Sequence, residues 1–553
     1  MKKYIISMLV AAAFGFILPS CNDKLDVAPP NSLTDEQIES ILASGDEDKI
    51  SLIMSSLAAD LDANFRLNSS VFSGFGSNPL NPIQNQDLFD DLRCNDIVLG
   101  EATLGSSGTY QIFYNIDPSF EPWLASNRSY NYSWWLLAAT PHTNANKVLA
   151  YLSPETVEAS GSNSLKDYRA RCLTVRAYGY MLLMERYQKA YLQGGKDGKG
   201  MPVYTEYGVN DPVAPSSATE TYDFIKSDLD EAVKLFTESE IGEGGDGYTV
   251  GTTNDIDCAV AQFLLARASL WTGDYATCIS SCQAILSHYS DLIPESAYGI
   301  QNSRTRALAA GTDDEKADDN AFACLDVNPE CILGWTDGNG AQTYQYSNFN
   351  CFAEGNGGLG EYFMRMDNRL YEKIADNDFR KGVFLSDTLT YVYPTDETSQ
   401  LLPKYTNLKW GATIALQQTA RNSNINCDYC YYRTSEVLLM LAEAQASSGK
   451  DSEAKNTLNE LLAARTKDGA ATLTCDNYPS MSGMSALDMV KLQWRIEMWG
   501  ENGDEYSNNK RWGIDVDRTG SAIHWSSGKT YTAEHMTYEI PIQETSTNGH
   551  WND

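Results

Sequence analysis

Residues 435–465 read SEVLLMLAEAQASSGKDSEAKNTLNELLAAR, two helix-forming runs broken at Gly449-Lys450-Asp451. A glycine there ends a helix in the left-handed conformation, and the acid that follows suits the positive end of the next one. The same event recurs in 259–286, AVAQFLLARASLWTGDYATCISSCQAIL, where one helix ends at Gly273 and another begins after Asp274-Tyr275. Helix, tight glycine turn and antiparallel helix, with small alanines where the two cross, is the pattern of a tetratricopeptide unit. The stretch 176–191, RAYGYMLLMERYQKAY, looks like a third and less regular helix of this kind. The fold expected is mainly α: a tetratricopeptide-like helical scaffold with few strands and long irregular loops.

Working outward, helical periodicity starts near Thr34, where Thr34-Asp35-Glu36-Gln37 offers an N-cap with Gln at the third helical position. Further helical windows fall at about 47–65, 133–152, 164–192, 219–237, 254–288 and 434–466. Between them lie Gly-, Asn- and Tyr-rich stretches at 68–125, 194–215, 239–253, 295–361 and 467–485. Loops of such length are uncommon in compact domains unless they carry function.

The front of the chain has a different character. Lys2 and Lys3 precede an uncharged apolar run from Ile5 to Leu18. A spanning helix needs roughly 20 apolar residues, so this run reads as a secretory signal covering residues 1–20. Residues 21–33 are polar, contain Pro29-Pro30 and read as a tether.

The 553 residues include 41 basic and 74 acidic ones, a formal net charge of −33. That balance argues against nucleic-acid backbones and anionic lipid surfaces as partners. Eleven cysteines remain besides Cys21, and Cys427-Asp-Tyr-Cys430 has no second C-x-x-C to complete a zinc site. Cys278 and Cys282 fall on one helix face, and most of the cysteines read as small buried hydrophobes.

Several stretches in a fixed order resemble one family. They are Ala145-Asn146-Lys147-Val148-Leu149, TVRAYGYMLL (174–183), ATETYDFIKSDLDEAVKLF (218–236), NRLYEKIADNDFRK (368–381), YYRTSEVLLMLAEA (431–444), WRIEMWGENGDEYSNNKRW (494–512) and YEIPIQETSTN (538–548). Together they resemble the SusD/RagB outer-membrane lipoproteins of Bacteroidetes nutrient-uptake systems. The sequence departs from the family at Asn508-Asn509-Lys510, where many members show a tighter D-L-x-R. Leu18-Pro19-Ser20-Cys21 likewise resembles a bacterial lipoprotein signal. It implies acyl lipid (palmitate among the chains) on Cys21, and Asp23 and Asp26 resemble the acidic signal for the cell surface. The resemblance divides the body into an N-terminal helical region with tetratricopeptide-like units, 34–290, and a C-terminal region, 291–553.

The function this implies is a lipid-anchored outer-membrane protein facing the cell exterior. It would bind a nutrient, a glycan or oligosaccharide, and deliver it to a SusC-like TonB-dependent transporter. Family members divide between glycans and peptides, so a peptide ligand is the alternative, with a surface glycoside hydrolase behind it. Glycan capture needs aromatic faces to stack on sugar rings and short polar groups to bond hydroxyls, placed on exposed loops. The candidates are Asn95, Asp96, Tyr110 and Trp123 in one loop and Trp335, Asn339, Tyr344 and Tyr346 in another. Neighbouring rings at Phe72, Phe75, Phe113, Tyr114 and Phe349 have the same chemistry, with Arg93 and Asp337 beside them.

No catalytic motif accompanies these loops, and the chain is expected not to be an enzyme. The five histidines form no H-E-x-x-H pattern, no G-x-S-x-G occurs, and SSGKT at 526–530 has Ile523 where a phosphate loop needs its first glycine. No cofactor is called for, and Asp337-Gly-Asn-Gly alone does not make a calcium loop. Arg433, Glu436, Arg495, Glu497, Asp378, Arg380 and Lys510-Arg511-Trp512 read as structural, fixing helix ends and cross-links, because buried charges need partners.

Overall fold

The computed structural model describes residues 34–552 except 60, 68–82, 99–124, 127–128, 210, 304–305, 307–318, 337–363, 393–398, 410–427 and 525–529. The first helices are α1 (Asp35–Leu42), α2 (Glu47–Leu57) and α3 (Ile83–Asp91), followed by the short strand β1 (Ile97–Val98). The long helices come next: α4 (Ser129–Leu149), α5 (Asn163–Tyr187) and α6 (Ala218–Glu238), then the pair α7 (Cys258–Thr272) and α8 (Tyr275–Leu286). Strands β2 (Cys331–Trp335), β3 (Arg365–Met366) and β4 (Tyr429–Arg433) lead into α9 (Thr434–Ser447) and α10 (Asp451–Ala464). Helices α11 (Ala486–Glu497) and α12 (Asp504–Trp512) follow. The remaining elements are short helical turns and two-stranded ribbons, so the chain is mainly helical, as expected.

The helices stack in series, α4 on α5, α5 on α6, α6 on α7, α7 on α8, α8 on α9, and α9 on both α10 and α11. The two glycine-turn hairpins therefore lie side by side, although nearly all of the irregular C-terminal chain falls between them in sequence. Both turns form as the residues dictate. Gly273 sits at φ 78° and Asp274 accepts the amide of Thr277, while Gly449 sits at φ 79° just past the end of α9. At the N-terminus Thr34 and Gln37 form the reciprocal capping box.

Helix α5 is buried on nearly every side from Asp167 onward, which explains why its sequence shows no one-sided stripe. Gly179 decides how closely α4 approaches it. A Cβ built there would lie 2.8 Å from the carbonyl oxygen of Ala138 and 3.2 Å from the Cβ of Pro141.

Helix α3 falls in a stretch expected to be loop. Its sequence, IQNQDLFDD, hides the helix because three acids are buried alongside Ile83, Leu88 and Phe89: Asp87, Asp90 and Asp91, the first two against Arg186 of α5. Nine described cysteines carry free thiols, and all but the half-buried Cys324 are buried, Cys278 and Cys282 together on one face of α8. Cys21, Cys351 and Cys427 lie outside the described residues.

Candidate functional site

Backbone pairing between distant segments builds the site. Strand β1 pairs antiparallel with β3, Ile97 opposite Met366 and Val98 opposite Arg365. Segment 99–124 thus departs beside the point where segment 337–363 returns. The returning chain is also held by Asn407, whose amide donates to the Met364 carbonyl at 3.0 Å, and by the Met366 amide donating to Tyr405 O at 3.0 Å. Three residues after Asn407 begins segment 410–427. That segment comes back at β4, where Tyr429 lies opposite Trp335 and Cys430 opposite Gly334, next to the departure of 337–363. The outgoing end of 99–124 and both ends of 337–363 and 410–427 therefore meet in one interlocked set of stems, while 99–124 returns at Ser126 against Glu539 and Ile542.

The turn 499–502 ties these stems together. The Trp499 indole N–H donates to the Asp96 carbonyl at 2.9 Å, at the foot of β1. Lys409, at the start of 410–427, donates to the carbonyls of Glu497 and Trp499 at 2.8 and 3.0 Å. The Tyr429 hydroxyl donates to Asn502 at 3.3 Å, and the Asn502 amide donates to the Tyr431 carbonyl on the same strand. Asn502 holds φ 53°, a left-handed conformation unusual outside glycine and maintained here by those bonds.

Beneath the turn lies a fully buried charge cluster. Arg433, the last residue of β4, meets Glu330 and Glu497 at 2.8 Å and Glu501 at 2.7 Å. Arg465 meets Glu330 at 2.6 Å and Glu497 at 2.9 Å, and Arg380 meets Glu497 at 2.9 Å. Burial alone would raise the Glu497 carboxyl, but Arg465, Arg433 and Arg380 outweigh it and hold it well below the usual range. Burial pushes Lys409 down to about 8 against the pull of Glu501. Asp378 accepts from Arg380 and from the Tyr478 hydroxyl, so the whole cluster is cross-linked.

These partners differ from the groupings in sequence. Glu436 faces Arg267 rather than Arg433, and Arg495 forks onto Asp96 instead of its neighbour Glu497. Lys510 donates to the carbonyls of Glu185 and Arg186 at 2.6 and 3.0 Å, closing the C-terminal end of α5, and Arg511 pairs with Glu443. Asn508 in turn accepts from Arg511 at 2.8 Å, so the departure from the family pattern at 508–510 stays inside the helix packing.

Asn95, Asp96 and Trp335 are the candidate ligand residues within the described structure, and all three are buried in the stems. Asn95 bonds the backbone of Asp515 and Asp517, the latter at 2.7 Å, while its carbonyl faces His524 Nε2 at 2.9 Å. Both Asp96 carboxylate oxygens accept from Arg495, and Glu505 accepts the Asn95 and Asp96 amides. Burial and the Asp96 charge raise the Glu505 carboxyl well above its usual range. Trp335 stacks on Tyr429 at 5.8 Å and is 4 % exposed. Arg93 is also internal, against Asp90 and the Tyr538 hydroxyl. Tyr110, Trp123, Asn339, Tyr344 and Tyr346 lie outside the described residues, as do Phe72, Phe75, Phe113, Tyr114, Asp337 and Phe349.

Trp499, Asn502, Lys409, Glu330 and Glu501 were not singled out from sequence, although Trp499-Gly-Glu-Asn-Gly stands inside a quoted motif. Its two glycines around a short polar turn were the available signal. Among the described residues, no group of three His, Cys, Asp or Glu side chains could hold a metal, and no helix is long and apolar enough to cross a membrane.

Comparison with known proteins places this geometry. A family-wide profile described as "SusD family" matches residues 295–552, and one described as "Starch-binding associating with outer membrane" matches 101–241. A SusD superfamily protein from Bacteroides thetaiotaomicron superposes with a TM-score of 0.64 at 16% identity, covering 90% of this chain and 98% of that one. A SusD-like carbohydrate binding protein from Bacteroides vulgatus gives 0.63 at 19% identity, covering 90% and 97%. Surface glycan-binding protein A from Bacteroides uniformis gives 0.56 at 16% identity, covering 90% and 98%. Comparison with curated protein sequences finds no significant match.

Proposed function

The chain is a SusD/RagB-type protein, and from that premise we propose that it captures a glycan on the cell surface and hands it to a SusC-like TonB-dependent transporter. One observation carries the reading: segment 99–124 departs from the same set of stems that holds both ends of 337–363 and 410–427. The first two contain Tyr110, Trp123, Asn339, Tyr344 and Tyr346, rings and amides suited to sugar. In this reading those five residues contact ligand. Asn95, Asp96 and Trp335 position the segments from below, because their own polar groups and faces are committed to the stems.

No covalent step is required. Capture and release suffice, and the acidic body repels anionic lipid, so attachment falls to acyl chains on Cys21 in the outer membrane. Each buried methylene contributes about 0.8 kcal/mol, and several chains together make a firm anchor.

Calorimetry against a panel of polysaccharides, oligosaccharides and peptides tests the assignment. Binding to a glycan that Trp123→Ala with Tyr344→Ala and Tyr346→Ala abolishes is the expected result. Binding of peptides alone, or product release by a pure preparation, would replace the reading with the peptide-binding or hydrolase alternative. Unchanged affinity in the triple variant would remove the loop assignment.

A further inference from the structure

Away from the loop stems, an open cleft of about 410 Å³ lies in the N-terminal part of the fold, within the size range of small-ligand sites. Its walls are the end of α2, the helical turn Asp62–Arg66, the face of α5 that carries Tyr168 and Arg171, and the segment 254–256. It shares no residue with the stems or with the turn 499–502.

The charges in these walls are already matched. Arg171 donates to Asp167 at 2.6 Å and forks onto both oxygens of Asp255, the longer bond at 3.2 Å. Arg66 pairs with Asp62 at 3.0 Å on the facing wall. Each arginine here already meets a carboxylate, so an anionic ligand finds no uncompensated positive charge. Hydrogen-bonding capacity is what remains, in the spare lone pairs of Asp62 and Asp255, the Tyr168 hydroxyl and the exposed carboxamide of Asn254. Neither the Tyr168 hydroxyl nor the Asn254 side chain is in a hydrogen bond among the described residues.

A flat surface accompanies this capacity. The Arg171 guanidinium carbon lies 5.9 Å from the Tyr168 ring centroid, with both side chains partly exposed. Two carboxylates fix the guanidinium from behind, so its exposed side is preorganised. Ala58 and Ala59 keep the opposite rim low. One aromatic ring and a flat guanidinium beside carboxylates and a carboxamide are groups that stack on and hydrogen-bond a sugar.

We propose that this cleft is a second binding site, for a neutral polyhydroxylated chain, separate from the loop site. The inference rests on the glycan reading above and extends it from one contact region to two. Two separated sites on one surface would raise the avidity for a long polymer through effective concentration, with no change at either site.

The test titrates neutral oligosaccharides, starch-derived malto-oligosaccharides among them, into the wild type and the double variant Tyr168→Ala with Asn254→Ala. Asn254 is exposed and Tyr168 is partly buried against the core, so the melting temperature of the variant checks that it folds. For an oligosaccharide that binds the wild type, two binding events are expected. In the variant one persists and the other is lost or weakened about tenfold or more. Identical stoichiometry and affinity in the two proteins would overturn the cleft proposal and leave the loop-site reading standing. Failure of the wild type to bind any member of the panel would overturn both. A uronic-acid oligosaccharide that occupies the cleft in preference to neutral ones would overturn its assignment to uncharged ligands.

Discussion

The indole N–H of Trp499 donates to the main-chain carbonyl of Asp96 at 2.9 Å, joining the helix-bearing C-terminal motif to the root of segment 99–124. The chain runs on in different directions from the two ends of this bond. Asp96 continues into β1, and Trp499 continues into Glu501, which meets Arg433 in the buried cluster. Loop position is therefore coupled to the helical scaffold through a few identifiable hydrogen bonds, and each can be removed separately.

Trp499→Phe keeps an aromatic ring but deletes that donor and part of the buried indole. The expected cost in unfolding free energy is about 1 kcal/mol or somewhat more, since the Asp96 carbonyl is left without this partner. Glycan affinity should fall along with it, because the root of segment 99–124 is released. Urea unfolding and calorimetry on the same preparation check both. Unaltered affinity with the expected stability loss would show that the bond serves the scaffold alone.

Glu497→Gln tests the charge cluster. Three arginines converge on this carboxylate, and removing its charge leaves them partly uncompensated in a region without solvent. Breaking a buried pair in this way costs about 3–5 kcal/mol. The expected outcome is a large drop in the urea midpoint. An apolar replacement of the whole cluster could be far milder, because the desolvation of all its charges would disappear with it.

Gly179→Ala probes the contact of α4 with α5. The added Cβ would meet the Ala138 carbonyl at 2.8 Å, inside normal contact, and backbone on both sides prevents a local escape. Overpacking of this kind costs about 1–3 kcal/mol, which outweighs the better helix propensity of alanine. Thermal unfolding should register it as a lower melting temperature.

His142 sets a pH dependence of stability. Burial, helped by the Arg176 charge, lowers it to about 4, and its ring stacks on Tyr180 at 4.8 Å. Unfolded, it titrates near its ordinary value of about 6.5. Between these two values the unfolded chain binds a proton that the folded chain refuses. Stability from this group is therefore complete above about 6.5 and is lost as pH falls toward 4, by about 3 kcal/mol in all. His142→Gln should remove that share of the slope between pH 4 and 6.5, read from urea midpoints across the window.

How far the sequence carried the structure depends on where each signal resides. The hairpins at Gly273 and Gly449 were legible because turn chemistry and helix periodicity are local. Helix α3 was not, because it buries three aspartates, which becomes sensible only when Arg186 arrives from α5. The same holds for Arg433 and Arg495, whose partners come from Glu330, Glu501 and Asp96 rather than from the adjacent motif residues. Trp335 carried a ligand-like signature in an apparently irregular stretch, yet its pairing opposite Tyr429 turns the ring into the stem. Aromatic composition marks a loop as interesting but does not say which rings face outward. That requires the strand register, which long-range pairing alone determines.

Cys21→Ser tests the proposed lipid anchor apart from the rest of the chain. The proposed tether, residues 21–33, precedes α1, whose first turn is closed by its own Thr34–Gln37 capping box. Loss of the thiol should therefore leave the melting temperature and glycan affinity unchanged. It should move the protein out of the outer-membrane fraction in cells lacking the transporter, since the acidic body offers no attraction to anionic lipid. Metabolic labelling with a palmitate analogue should mark the wild type and miss the variant. Full retention of the variant in the membrane without its transporter would show that some other part of the chain holds it there.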